Sequence, residues 1–316
     1  MVITLELMDK NKRYNSIDRY YKAKYGKKVA KISLNGNFSC PNKDGTKGYG
    51  GCIYCSASGS GDFAGDKQLD ILEQFKQIKD VIDKKWPSSL YIPYLQANSN
   101  TYGSIEKLKS VYEPLTTLKD IVGISIATRA DCFNDEIYEY LKDLNNRIPL
   151  QIELGLQTIH EKTAILINRQ TSLLEFEEAI KRLREIGIET VVHIINGLPY
   201  ETKNDMLETI KYLNTLDIQG VKIHSLLVLK NTKLNNLYQK EQFHILSLEE
   251  YVDITVNQIE ILRPDIIIHR VGADSSVEDL VVPLWTRKKL VVMNEIDKSL
   301  RKKDSYQGIH YSGQEK

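Results

Sequence analysis

From about residue 29 to residue 271, short apolar runs of strand length alternate with longer stretches in which apolar residues recur every three or four positions. The first pattern fits strands of a covered parallel sheet and the second a helix with one buried stripe, so the chain is expected to repeat β/α units. Strands are predicted over 29–35, 90–96, 121–128, 150–156, 190–196, 220–227 and 265–271. Three helix starts carry a capping signal, a hydroxyl residue followed three positions later by an acid: Ser172 with Glu175, Thr202 with Asp205, and Ser247 with Glu250. After Ser172, the residues Phe176, Ala179, Ile180 and Leu183 form one apolar face, and Gly187 is placed to end the helix. Six or seven such units make a full or partial (β/α) barrel, with a doubly wound sheet as the alternative. In either, ligands gather at the carboxyl ends of the strands.

One stretch breaks the pattern. After the first strand, residues 35–65 are crowded with Gly, Asn, Asp and Ser and hold Cys40, Cys52 and Cys55. Such a composition belongs in neither a helix nor a strand interior. Three thiolates converging from one irregular loop suit a zinc site or an iron-sulfur cluster, since both take soft ligands. A structural zinc site needs four protein ligands, and only three cysteines are here; a cluster on three cysteines leaves one iron open to a small molecule. Spacing alone leaves both readings open. Four cysteines in a chain without a secretory leader pattern speak against a disulfide framework and for a reducing compartment. Gly59, Gly61 and Gly65 fit neither phosphate-loop pattern, and no Ser-His-Asp arrangement has a local motif behind it.

Composition narrows the classes further. With 43 basic against 42 acidic residues the net charge is +1, which argues against a protein that grips nucleic acid over its whole surface. No apolar run approaches the roughly 20 residues needed to span a bilayer, so no membrane partner is expected and the compartment is expected to be cytoplasmic. Charge is nevertheless uneven. Between Lys10 and Lys31 nine Lys/Arg face a single acid, Asp18, interleaved with Tyr14, Tyr20, Tyr21 and Tyr25. Basic residues neutralise phosphates and tyrosines stack on unpaired bases, so this arm suits single-stranded nucleic acid; the alternative is a solvated amphipathic helix packed by its tyrosines. Residues 287–303 read as an amphipathic helix with positive charge at both ends, able with the arm to bind a polyanion.

The three cysteines, Tyr54 before Cys55, and the strand ahead of them resemble the cluster loop of the radical S-adenosylmethionine (radical SAM) superfamily. The eleven residues between Cys40 and Cys52, in CPNKDGTKGYGGCIYC, resemble more narrowly the branch related to the elongator catalytic subunit. The resemblance implies an α/β fold, a partial (β/α)6 TIM-like barrel with a C-terminal extension. Its divisions would be a basic arm over 1–27, the barrel over 28–235 and the extension over 236–316. It implies a 4Fe-4S cluster on Cys40, Cys52 and Cys55, whose open iron binds the amino and carboxylate groups of S-adenosylmethionine.

Further residues carry over by position. Where many radical SAM proteins have Gly-Gly-Glu for the cofactor's amino group, the second strand ends with Gln96, Ala97, Asn98 and Ser99. Gln96 and Asn98 offer oxygens to an ammonium, with an ordinary Asx turn as the alternative. The third strand ends with Arg129, Asp131 and Cys132, resembling Thr-Arg-Pro-Asp; Cys132 reads as a fourth ligand, a thiyl relay or a small buried hydrophobe. ELGLQTIHEKTAILINRQTS resembles a family segment in which Gln157 and Arg169 contact the amino acid part of the cofactor, with Glu153 facing the same region; a purely structural Arg169 is the alternative. Gly197, Leu198 and Pro199 resemble the Gly-Leu-Pro turn against adenine and ribose. His193 is assigned to a ribose hydroxyl or the substrate, or to the core; Leu227 and Val228 are assigned to the adenine face, with ordinary core packing as the alternative, and His224 to a substrate contact.

The activity implied is reductive cleavage of S-adenosylmethionine to a 5′-deoxyadenosyl radical, fed by an electron donor such as flavodoxin or ferredoxin. Nearly the whole chain resembles a small bacterial family implicated in tRNA wobble-uridine modification, from a carboxymethylaminomethyl to an aminomethyl group. The chain leaves no room for the elongator acetyltransferase domain, so acetyl transfer is not expected. The alternatives are a radical SAM enzyme acting on a small metabolite and a zinc-bound, non-catalytic RNA-binding module.

Overall fold

The computed structural model describes residues 12–313; the start of the basic arm, Lys10 included, lies outside them. In chain order the elements are α1 Ile17–Tyr25, β1 Val29–Leu34, α2 Ile71–Lys85, β2 Leu90–Leu95, α3 Ile105–Leu115, β3 Ile124–Thr128 and α4 Asp135–Arg147. They continue with β4 Leu150–Gln157, α5 Glu161–Leu166, α6 Leu173–Glu185, β5 Glu189–Asn196, α7 Lys203–Leu213 and β6 Gly220–Ser225. The last are β7 Val228–Leu229, α8 Lys233–Glu241, α9 Leu248–Ile261, β8 Ile267–Val271, β9 Leu280–Val282 and α10 Lys289–Lys302.

Each of the seven predicted strands is present, and the sheet order β1-β2-β3-β4-β5-β6-β8 follows the chain, as in a partial TIM-like (β/α) barrel. The seventh strand, β8, comes from the segment expected as a C-terminal extension. It pairs parallel to β6, with Gly220 opposite Ile267 and Ile223 opposite Val271, because its apolar run needs covering as much as the others. The short antiparallel pair of β7 with β9 has no counterpart in the sequence reading.

Two bodies are woven from alternating segments of the described residues: one from Tyr21–Gly155 and Arg169–Val191, the other from 12–20, Leu156–Asn168 and 192–313. In the first, the two-residue period of a strand sorts side chains by face. Ile32, Leu34, Ile124, Ile126, Ile152 and Leu154 are fully or almost fully buried on one side of β1, β3 and β4. Lys31, Ser125, Gln151 and Glu153 stand on the other, with Ser125 opposite Gln151 in the β3–β4 register. Helices α2, α3, α4 and α6 bury Phe75, Leu108, Tyr112, Leu141, Leu144, Phe176 and Leu183. Truncating one fully buried leucine of this kind to alanine costs about 2–5 kcal/mol.

In the second body α9 buries Tyr251, Ile254, Val256 and Ile259, and α10 turns Val292, Ile296 and Leu300 inward, the amphipathic helix expected there. The N-terminal segment packs here. Ile268 N–H donates to the Asn15 carbonyl at 2.8 Å, Lys12 pairs with Asp297 at 2.8 Å and Arg13 with Asp304 at 2.9 Å, while Tyr14 is buried. These residues of the basic arm are engaged in folding, whereas Lys22, Lys24, Lys27 and Lys28 are exposed. The three capping boxes, at Ser172, Thr202 and Ser247, all form. Among the described residues no helix is long and apolar enough to cross a membrane.

Candidate metal centre and cofactor site

The cysteine loop leaves β1 and returns to it. Buried Gln74 of α2 accepts from Asn35 N–H at 2.9 Å and donates to the carbonyls of Asn35 and Leu69, and Gly65 N–H donates back to the Ser33 carbonyl at 3.0 Å. Inside this closed base, the long spacing between Cys40 and Cys52 short-circuits. The Pro41 carbonyl accepts from Lys47 and Gly48, the Asn42 carbonyl accepts from Gly51 at 2.7 Å, and Asp44 bridges Tyr49 in antiparallel fashion. The intervening residues thereby fold out as a hairpin, and a turn from Cys55 N–H to the Cys52 carbonyl (3.1 Å) completes the CxxC.

Asn98, predicted to meet the cofactor's ammonium, is used to brace this loop. Its Nδ2 donates to the Phe38 carbonyl at 3.0 Å, its N–H donates to the Gly59 carbonyl at 2.9 Å, and its Oδ1 accepts from Lys43 Nζ at 3.2 Å. Lys43 Nζ also donates to the Ala57 carbonyl. One residue thus ties the loop before Cys40 to the turn after Cys55. Only glycine fits beneath it: Gly59 has φ +66°, and a Cβ there would come within 2.0 Å of Asn98 Oδ1. Gln96, half-buried, accepts from Ser33 Oγ at 3.4 Å.

Cys52 and Cys55 share a proton unequally. A hydrogen bond from Cys55, against the cost of burial and helped by the Arg129 charge and by Asn42, brings the Cys52 thiol down to about 6. The same bond and burial push Cys55 up. Asn42 Nδ2 donates to Cys52 Sγ at 3.5 Å. Thiolate is the ligating form, so Cys52 is ready at neutral pH. Among the described residues, the three sulfurs do not all lie within 4.8 Å of one another and no His, Asp or Glu joins them; the one group so gathered is His160, Asp205 and Glu208, in the other body. The three thiols come without the fourth protein ligand that a closed tetrahedral ion takes, whereas three cysteines are the complement of an iron-sulfur cluster with one iron left open.

Beyond the loop, the same body holds Arg129, Asp131, Cys132, Glu153 and Arg169. Arg129 makes a forked pair with Asp131 (Nε to Oδ1 2.8 Å, Nη2 to Oδ2 2.7 Å). Its Nη1 donates to the Arg169 carbonyl at 2.8 Å. Arg169 is buried, and its Nε donates to the Thr171 carbonyl at 2.8 Å. Cys132 is buried with its thiol pushed up by burial, the state of a small core residue. Glu153 is wholly buried and accepts from Ser125 Oγ at 2.8 Å and from Lys31 Nζ, which also donates to Ser125 and Gln151.

The other predicted residues belong to the second body. Gln157 closes β4 with φ +68°. The His193 and His224 rings are 5.1 Å apart. Gly197 follows β5 with φ +85°, where a side chain would press on Leu246, and Leu198 and Pro199 are buried after it. Leu227 is half-buried and Val228 wholly buried in β7. Sequence reasoning did not pick out Asn42, Lys43 and Lys47. Asn42 and Lys43 lie between two ligands, yet only the folded hairpin shows what they hold.

A parallel (β/α) sheet with three cysteines in the loop after its first strand defines a class of enzyme. Residues 46–213 match the Radical SAM superfamily and residues 218–302 the Radical_SAM C-terminal domain. The chain belongs to the radical SAM superfamily, in its elongator-like branch, and is an enzyme that uses a 4Fe-4S cluster and S-adenosylmethionine. It is 45% identical over 297 residues to Bacillus subtilis (strain 168) YtqA, an uncharacterized protein, covering 94% of this chain and 92% of that one. It is 27% identical over 161 residues to the tRNA uridine(34) acetyltransferase of Methanocaldococcus infernus, covering 50% of this chain and 29% of that one. Its fold is similar to that of the archaeal Methanocaldococcus infernus Elp3 with an N-terminal deletion, with TM-score 0.66 and 18% identity, covering 88% of this chain and 64% of that one.

Proposed function

We propose that the chain is a tRNA-modifying radical SAM enzyme that acts on the wobble uridine, converting a carboxymethylaminomethyl group to an aminomethyl group. The observation that carries this reading is the likeness over half the chain to a tRNA uridine(34) acetyltransferase. Exposed Lys22, Lys24, Lys27 and Lys28 support it by supplying charge for phosphates. Cys40, Cys52 and Cys55 would hold the cluster, which, given an electron from a flavodoxin- or ferredoxin-like donor, would supply a 5′-deoxyadenosyl radical from bound S-adenosylmethionine. Arg169 offers its guanidinium to the cofactor's carboxylate and Gln157 holds the same amino acid part. Gly197, Leu198, Pro199, Leu227 and Val228 serve adenine and ribose, and His193 a ribose hydroxyl.

Mass spectrometry of tRNA nucleosides from a deletion strain tests the reading. The aminomethyl uridine should vanish and its carboxymethylaminomethyl precursor accumulate, with restoration by the wild-type gene and none by Cys55→Ala. Unchanged wobble nucleosides would reject tRNA and favour a small-metabolite substrate.

A further inference from the structure

The hairpin between Cys40 and Cys52 ends in a ring of polar contacts. Lys47 Nζ pairs with Asp131 at 3.1 Å and with Glu175 at 2.7 Å. Asp131, at the end of β3, is gripped by the Arg129 fork. Arg129 in turn holds the turn before α6, through the Arg169 carbonyl at 2.8 Å, the Gln170 carbonyl at 3.3 Å and Thr171 Oγ1 at 2.6 Å. That turn leads into Ser172, whose N–H and hydroxyl donate to Glu175 Oε2 at 2.8 and 2.9 Å. Glu175 Oε1 closes the circuit on Lys47.

Nothing in helix capping requires this. Ser172 and Glu175 already satisfy the α6 terminus, and Asp131 already has Arg129. Lys47 adds a third segment to a pair that is otherwise complete. A lysine does this where one loop must be registered against another, because its ammonium has three donors and here reaches two carboxylates from different elements. The segment it registers is the one that carries Arg169.

We propose that Lys47 and Arg129 are positioning residues: they latch the cysteine-loop hairpin to the 169–171 turn and so set Arg169 in place for the carboxylate of S-adenosylmethionine. This rests on the reading of Arg169 as the carboxylate partner. The eleven-residue spacing then has a purpose of its own, since a three-residue spacing leaves no hairpin to carry Lys47.

The test uses full-length protein reconstituted anaerobically, with iron content and S-adenosylmethionine affinity measured by equilibrium dialysis on wild type, Lys47→Met, Lys47→Arg, Glu175→Gln, Arg129→Lys and Arg169→Ala. Lys47→Met, Glu175→Gln and Arg129→Lys should keep wild-type iron and bind the cofactor about 10-fold more weakly, the size typical of a lost supporting partner. Lys47→Arg, which can keep both pairs, should bind normally. Lys47→Met and Glu175→Gln change local charge in opposite senses, so weakening in both marks lost geometry and not lost field. In the cleavage assay KM should rise with kcat little changed. Wild-type affinity in Lys47→Met beside weakened affinity in Arg169→Ala overturns the latch alone; wild-type affinity in both removes the assignment of Arg169 as well. Loss of iron from Lys47→Met also overturns the proposal, because the hairpin would then serve the cysteines.

Discussion

Two ionic networks in the first body, each built on a buried carboxylate, invite comparison. One joins Lys31, Ser125, Gln151 and Glu153 in mid-sheet; the other joins Lys47, Arg129, Asp131 and Glu175 at the strand end. Both pair a buried carboxylate with a cation. The first is fixed by strand register, which sets Ser125 opposite Gln151 and Ala127 opposite Glu153 on adjacent strands. The second has no register behind it and joins a loop hairpin, a strand end and a helix start that would otherwise be free to shift. Polar groups inside a sheet act on stability, and polar groups at its rim act on the relative placement of loops.

Breaking the mid-sheet pair should have the larger effect on folding. Glu153 is fully buried, and Glu153→Gln leaves Lys31 without its carboxylate, at a cost of about 3–5 kcal/mol in chemical denaturation. Replacing both, as Lys31→Met with Glu153→Leu, should recover much of that loss. A double replacement as unstable as the single would show that the network acts through something besides charge.

The rim network should respond less. After Asp131→Asn, Arg129 keeps its bonds to the Arg169 and Gln170 carbonyls and to Thr171, so the loss should be about 1–3 kcal/mol. Acid gives the finer view. Burial raises the Asp131 pKa, but the Arg129 fork and Lys47 outweigh it and hold the group below its ordinary 3.8. A carboxylate depressed in the fold stabilises above its unfolded pKa, and that contribution is lost as pH falls through the folded value. Below pH 3.8 the wild type should therefore lose stability more steeply than Asp131→Asn. Parallel pH profiles would remove the distinction between the two networks.

What could be read from sequence divides along the same line. All seven strands of the main sheet, three capping boxes and the amphipathic α10 were legible, because periodicity and caps are local properties. The irregular loop that holds the three cysteines was legible because its composition forbids regular structure. Long-range pairing was not. Asn98 is expected as a strand-end ligand, and only the fold shows its side chain on Phe38 and Lys43 and its backbone N–H on Gly59. Glu153 is expected to face the cofactor, and only the fold shows Lys31, more than a hundred positions away, beside it. The β7–β9 pair is too short to show a period, and β8 was expected as a strand without its joining the main sheet being expected.

The central claim is that Cys40, Cys52 and Cys55 hold a cluster with one iron left for S-adenosylmethionine. Electron paramagnetic resonance of the reduced, anaerobically reconstituted protein tests it most directly. The expected result is a cluster signal that changes shape when S-adenosylmethionine is added and is absent from Cys52→Ala. A signal indifferent to the cofactor, or none from wild-type protein that carries zinc, would contradict it.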